Sequence, residues 1–210
     1  LFHIVLSGTR ARVEQRIAIV RNLSEHTSTE FRELALVALG GLLQTGHFTS
    51  SHDFSFGARS RDFGWHPTTN EDLANWYRAA LALAEEFCQK GSPFRLKTRA
   101  MLARHFRGLW MQAGIQDELV ALAKRFARDE GWSDGWIAVR MTLKYGKDGL
   151  PQPSRDLLQG LEAELRPQDL EQKLEAYVLS QTYGHIDVAD VEAEEETGEA
   201  IATTLHSEER

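Results

Sequence analysis

Residues 47–66, with the sequence HFTSSHDFSFGARSRDFGWH, hold the densest group of side chains in this chain that could do chemistry. The segment contains three histidines and two aspartates. Such residues can act as general acids and bases or as metal ligands. One hypothesis is therefore a small hydrolase or transferase whose site uses His52, Asp53, Asp62 and His66.

The spacing of these residues matches no motif for catalysis or metal binding. The sequence has no HExxH, no Cys/His zinc pair and no histidine pair at helical spacing. Asp62-Phe63-Gly64 matches the metal-binding triplet of protein kinases, but the glycine-rich strand, strand lysine and HRD loop that accompany it are missing. Phosphate-binding glycine motifs and GxSxG are missing too. We therefore predict no metal, no cofactor and no catalytic residue.

A structural role is the alternative interpretation of the same segment. HDFSFGAR and RDFGWHP both combine Asp-Phe with a second aromatic residue and a glycine. Aspartate can close an Asx-turn on its own backbone, and glycine permits a positive φ. The aromatic side chains would then anchor two successive turns between helices. This pattern predicts one long ordered loop over residues 46–68.

A binding role is compatible with such a loop. Arg59 and Arg61 lie between the two turns, where guanidinium groups could hold a carboxylate or phosphate through two parallel hydrogen bonds. Trp65 and His66 could add a stacking face. The candidate ligand-binding or partner-binding residues are therefore Arg59, Arg61, Trp65, His66, His52, Asp53 and Asp62.

The basic segment FRLKTRAMLARHFRG is a second candidate surface, since it contains no acidic residue. Its proposed cations are Arg95, Lys97, Arg99, Arg104 and Arg107. One interpretation is a solvated face that pairs with acids of neighbouring helices. The other is a surface, extending over residues 95–128, for nucleic acid, phosphate or an acidic partner. The net charge of −7 argues against a dedicated nucleic-acid-binding protein.

The elements that must position these residues are helices. Apolar residues recur every three or four positions in TSTEFRELALVALGGLLQTG and again in TTNEDLANWYRAALALAEEFCQKG. Similar patterns predict helices over about 9–23, 27–46, 68–91, 92–114, 116–130, 134–146, 154–165 and 167–183. Only residues 2–6 have a weak strand pattern. The predicted fold is all-α, with about eight helices.

Two details of these helices are specific enough to be compared with a structure. Thr27 with Glu30, and Thr68 with Glu71, have the spacing of a capping box at a helix start. In the first of these helices the predicted buried stripe is Phe31, Leu34, Ala35, Ala38, Leu39, Leu42 and Leu43.

The arrangement of the helices has two interpretations. Short connections predict antiparallel neighbours, which occur both in helical bundles and in α-solenoids. Helix pairs recur at intervals of about 40 residues, the period of HEAT repeats. The predicted architecture is a HEAT-like α-solenoid or, alternatively, an antiparallel helical bundle.

Composition and charge predict the domain organisation. The 42% hydrophobic and 26% charged residues are typical of a folded domain, and no apolar run approaches the length of a membrane span. Lys and Arg number 20 against 16 Asp and Glu in residues 1–150, but only 4 against 15 in residues 151–210. We predict a single helical-repeat domain over 1–185 and an acidic tail or linker over 186–210.

Two further features predict the cellular compartment of the protein and the relation of this chain to a longer one. A single cysteine, Cys88, provides no disulfide framework, which is typical of the reducing cytoplasm. The sequence begins with Leu1 rather than methionine, so we expect it to be a segment of a longer protein.

A family resemblance rests on three stretches. HFTSSHDFSFGARSRDFGWHP after ALVALGGLL, together with LRPQDLEQKLEAYVL, resembles the helical-repeat regions of large bacterial signalling NTPases of the STAND class. The resemblance covers about residues 25–185. In that class the repeats follow the NTPase module and act as sensor or scaffold. None of the NTPase motifs is present here, so the resemblance implies no catalytic residue.

Together these patterns favour a non-enzymatic helical-repeat interaction or sensor module. Its expected partners are another protein or attached domains of a longer chain, with no membrane insertion. The enzyme with a His/Asp cluster remains the first alternative. Binding of nucleic acid or phosphate through residues 95–128 remains the second.

Overall fold

A computed structural model of the chain describes residues 1–46, 64–146, 149–170, 172–174, 176 and 178. Those residues form no strand, and residues 2–6 lie in an irregular segment. The helices are α1 (Val13–Ser24), α2 (Thr29–Leu43), α3 (Asn70–Phe87), α4 (Arg95–Gln112), α5 (Gln116–Glu130), α6 (Ser133–Tyr145) and α7 (Gln152–Leu165). The described residues from 170 to 178 are helical as well. The prediction of an all-α fold is confirmed.

The helix starts differ from the predicted capping boxes by one residue. Thr69, rather than Thr68, precedes α3, and its Oγ1 accepts a hydrogen bond from the Asp72 backbone at 3.0 Å. The Asp72 carboxylate accepts one from the Thr69 backbone at 3.1 Å. The sequence TTNED offers two overlapping boxes, and the later one forms. At α2 the residue before the helix is Ser28, not Thr27.

The buried face of α3 agrees with its apolar periodicity. In α2 the predicted stripe is confirmed except at its first two residues, since the members that are buried are Ala35, Ala38, Leu39, Leu42 and Leu43. Leu36 is buried, but Leu34 is 52% exposed and Phe31 is exposed too. Because α2 packs against three helices, α1, α3 and α4, its buried face is wider than the predicted stripe and includes Leu36.

The first of two compact units comprises Leu1–Leu122. Its extensively packed pairs of described helices are α1 with α2, α1 with α3, α2 with α3, α2 with α4, and α3 with α4. Helices α1 and α3 therefore form one layer, and α2 and α4 form the other. This pairing of successive hairpins is the arrangement expected in an α-solenoid.

The second unit comprises Ala123–Arg210. Within it α6 packs on α7, and the Trp136 indole donates a hydrogen bond to Glu162 at 2.8 Å. The predicted boundary between helical domain and acidic tail, at 185–186, lies outside the described residues. Among the described helices none combines the length and apolar character needed to cross a bilayer.

Candidate functional site

The predicted loop over 46–68 is described only at its two ends. Residues 47–63 lie outside the described residues. The proposed site residues His52, Asp53, Arg59, Arg61 and Asp62 fall in that range, so their roles stay predictions. Trp65 and His66 are described, and they lie at the end of the connection that enters α3.

The first end of the connection is held by two ring side chains of α3. The Trp76 indole donates a hydrogen bond to the Leu42 carbonyl, and the Tyr77 hydroxyl donates to the Gln44 carbonyl, both at 2.9 Å. Burial raises the pKa of the Tyr77 phenol, which therefore keeps the proton that it donates.

The second end of the connection returns to the same place. The half-buried Trp65 ring stacks on Trp76, with ring centroids 5.5 Å apart. Its backbone amide donates to the Thr9 carbonyl at 2.8 Å. Both ends are thus held at consecutive α3 residues, Trp76 and Tyr77.

A buried arginine of α1 organises the segment that Trp65 contacts. Arg16 is 1% exposed, and its guanidinium donates to the carbonyls of Leu1, His3 and Ala11 at 2.6–2.9 Å. It also donates to the Ser7 hydroxyl at 3.0 Å. None of these acceptors is a carboxylate. Burial lowers the pKa of Arg16, although arginine stays protonated in proteins.

The same guanidinium contacts the ring that holds the loop ends. The Arg16 Cζ atom lies 4.8 Å from the Trp76 ring centroid, which is a cation–π distance. Arg16 therefore links the irregular residues 1–11 to the base of the 46–68 connection. Because its acceptors are all within the chain, this arginine is a structural residue and does not present its charge to a ligand.

The described part of the chain gives the enzyme hypothesis no assembled cluster. His66 is exposed, and its Nδ1 lies 3.3 Å from the Gly64 carbonyl oxygen. The described residues contain no group of three potential metal ligands. Burial raises the pKa of Cys88 to about 12, so this thiol is no nucleophile near neutral pH.

Of the five cations of the basic segment, two are buried or half-buried and three are exposed. Arg99 is 7% exposed and therefore does not belong to a basic surface, which corrects its assignment. Arg95 donates to the Cys88 carbonyl and is half-buried. Lys97, Arg104 and Arg107 are exposed, as expected for residues that share one side of α4.

An apolar groove of about 630 Å³ lies beside two of these exposed cations, between α2 and α4. Its apolar lining comes from both helices: Leu36, Val37, Gly40, Ala100 and Met101. Val37 is 71% exposed, which is unusual for a valine among buried neighbours. Gly40 has no side chain to fill the space, and a Cβ atom there would lie 3.6 Å from the Met101 sulfur.

The polar lining of the groove is basic. It consists of Lys97, Arg104 and His105. Burial, together with the charge of Arg104, lowers the pKa of His105, which is therefore neutral near pH 7. Lys97 lies 3.9 Å from Glu33, and both side chains are mostly exposed, so this pair contributes little.

The groove combines an apolar floor with fixed positive charge, and this arrangement suits binding rather than bond breaking. Among the described residues of its lining, His105 is the one group that could accept a proton near pH 7, and no carboxylate, hydroxyl or thiol stands beside it as a partner or nucleophile. Sequence reasoning identified Lys97 and Arg104 but missed the apolar floor. A signal was present, because FRELALVALGGLL is apolar on more sides than one buried face requires.

Comparison of the chain with protein-family models, with curated proteins and with solved structures gave no match. The resemblance to STAND-class repeat regions therefore stays a prediction, and the function is argued from the geometry alone.

Proposed function

We propose that the chain is a non-enzymatic helical-repeat interaction or sensor module that binds a polypeptide partner in the α2–α4 groove. The observation that carries this proposal is the groove itself, with the exposed Val37 and two cations in its lining. Exposed apolar surface bordered by polar residues is typical of protein-binding sites. Paired helices also offer a groove of the kind that receives a peptide.

The sensor part of the proposal rests on what α2 connects. Gly40 lines the groove, while Leu42 and Gln44, just beyond it, hold the start of the 46–68 connection through Trp76 and Tyr77. A partner that shifts α2 would therefore change the base of this connection. A ligand that favours one packing of the helices shifts the population toward it and reports to any attached domain.

Selection of peptides from a random display library tests the binding proposal. The 210-residue chain serves as bait, and peptides enriched on it are then measured against Gly40→Leu. Leucine at this position would fill the groove, while the helix gains from the loss of glycine. We expect enriched peptides to bind the unmodified chain and to lose at least about tenfold in affinity for Gly40→Leu.

The matched control is Gly160→Leu. Gly160 also lies within a helix, α7, and open space surrounds the position of its Cβ atom. Its substitution gives the same chemical change without touching the groove. Peptides that bind both variants as tightly as the unmodified chain, or a selection that enriches none, would contradict the proposal.

A further inference from the structure

The charges beside the groove have one sign and few partners. Among the described residues of its lining, the charged groups are Lys97 and Arg104, and none is acidic. Within the described part of the chain no ion pair involves Arg104. An occupant that covered Arg104 with apolar or basic groups would remove it from water with no ionic partner among the described residues, and Lys97 would keep only its contact of 3.9 Å with Glu33. The occupant must therefore supply carboxylates.

The floor of the groove decides the backbone conformation of the occupant. Leu36, Val37, Ala100 and Met101 offer no hydrogen-bonding side chain, and the backbone groups of α2 and α4 are paired within their helices. An extended peptide would bury its own amide and carbonyl groups there without partners. A helix satisfies these groups internally, so a helical occupant can cover an apolar floor.

The positions of the two cations set the spacing of the acids. Lys97 and Arg104 are seven residues apart on α4. At a rise of 1.5 Å per residue this separation is about 10.5 Å along the helix axis. A guest helix that lies along α4 would match it with two acidic residues that are also seven positions apart, beside its apolar face.

We propose that the groove takes an acidic amphipathic helix, with an apolar face on Val37 and Met101 and carboxylates two turns apart opposite Lys97 and Arg104. This inference rests on the proposed function, whose partner it identifies by chemical class. Electrostatic complementarity of this kind selects among partners and orients them as they bind.

The test uses two labelled synthetic peptides of about 18 residues that share one apolar face and have helix-favouring residues elsewhere. One peptide has glutamates seven positions apart beside this face, and the other has lysines there. Fluorescence anisotropy measures their binding to the full chain. We expect the glutamate peptide to bind at least about tenfold tighter, with a preference that weakens as salt is added.

Charge reversal makes the test specific to the two cations. The double variant Lys97→Glu, Arg104→Glu is expected to reverse the preference and bind the lysine peptide more tightly. The control is Arg125→Glu, Arg128→Glu, which changes the net charge equally at exposed residues that do not line the groove. This control is expected to keep the preference for the glutamate peptide.

The outcomes separate this inference from the proposed function. If both peptides bind the unmodified chain equally and neither binds Gly40→Leu, the groove is a binding site. The inference that its occupant must be acidic would then be overturned. Binding of neither peptide would overturn the inference, and the peptide selection would still test the groove independently. Equal weakening by both double variants would assign the preference to net charge and overturn the inference too.

Two other occupants would also overturn the inference. An oligonucleotide that displaces the glutamate peptide and loses affinity when Lys97 and Arg104 are reversed would assign the surface to nucleic acid. Self-association of the chain that Gly40→Leu abolishes, measured by light scattering, would assign the groove to a second copy.

Discussion

Replacement of Arg16 by methionine is expected to lower the free energy of unfolding by about 3–5 kcal/mol, because hydrogen bonds from a charged group contribute more than neutral ones. The substitution keeps an unbranched apolar chain beside Trp76. It removes the donors to Leu1, His3, Ala11 and Ser7. The carbonyls of the half-buried His3 and Ala11 and the hydroxyl of the buried Ser7 would then lose a partner, as would the carbonyl of the exposed Leu1. Urea denaturation followed by circular dichroism measures the change.

Arg21→Met is the matched control for this prediction. Arg21 also lies in α1, but its side chain is half exposed and its partner is the equally exposed Glu86. Exposed ion pairs contribute at most about 1 kcal/mol, so this substitution is expected to have a small effect. Similar unfolding free energies for the two variants would contradict the structural role of Arg16.

Replacement of Gly64 by alanine is the second substitution with a large expected effect. Gly64 has a φ of +85°, and a Cβ atom there would lie 2.4 Å from the Thr9 carbonyl oxygen. The left-handed backbone conformation alone costs a residue with a side chain about 1–3 kcal/mol. Overlap with backbone atoms of Thr9 adds to this cost, since backbone cannot rotate away. We expect thermal unfolding at a clearly lower temperature.

Gly91→Ala separates the cost of the left-handed backbone conformation from the cost of the overlap with Thr9. Gly91 has nearly the same φ, +83°, but no atom lies within 4 Å of the position of its Cβ atom. This variant therefore has the conformational cost without the overlap. The Gly64→Ala variant should be the less stable of the two. If both variants unfold at the same temperature, the contact between Gly64 and Thr9 does not hold the end of the connection in solution.

Local patterns were sufficient to predict the helices and most of their buried faces. In α3, Trp76, Tyr77, Ala80 and Ala84 follow one another at the helical spacing that predicts this element, and each is buried. The choice between Thr68 and Thr69 as the helix start could not be made, because each has an acid three positions later.

Faces that depend on several neighbouring helices were not predictable in the same way. α2 has apolar residues on most sides, so periodicity alone could not decide that Leu36 is buried while Leu34 and Val37 are exposed. In α4, Arg99 and Arg104 belong to one basic run, and only the neighbours of α4 make the first buried and the second exposed.

The sequence contains a signal for the role of Arg16. Val13, Arg16, Ile17 and Val20 follow the spacing of an apolar stripe, and all four are buried. A lone arginine in such a stripe indicates a charge that must find acceptors inside the protein. Its acceptors could not be identified, because they lie in the irregular residues 1–11.

The methyl signals of the three methionines test the central claim, binding in the α2–α4 groove, most directly. Met101 lines the groove, whereas Met111 and Met141 do not and serve as internal references. With methionine methyl groups labelled by carbon-13, a peptide enriched by selection is titrated into the chain, and Met101→Leu assigns the signal. We predict that the Met101 methyl signal shifts with saturation while the other two stay in place. A bound peptide that leaves Met101 unchanged would contradict the account.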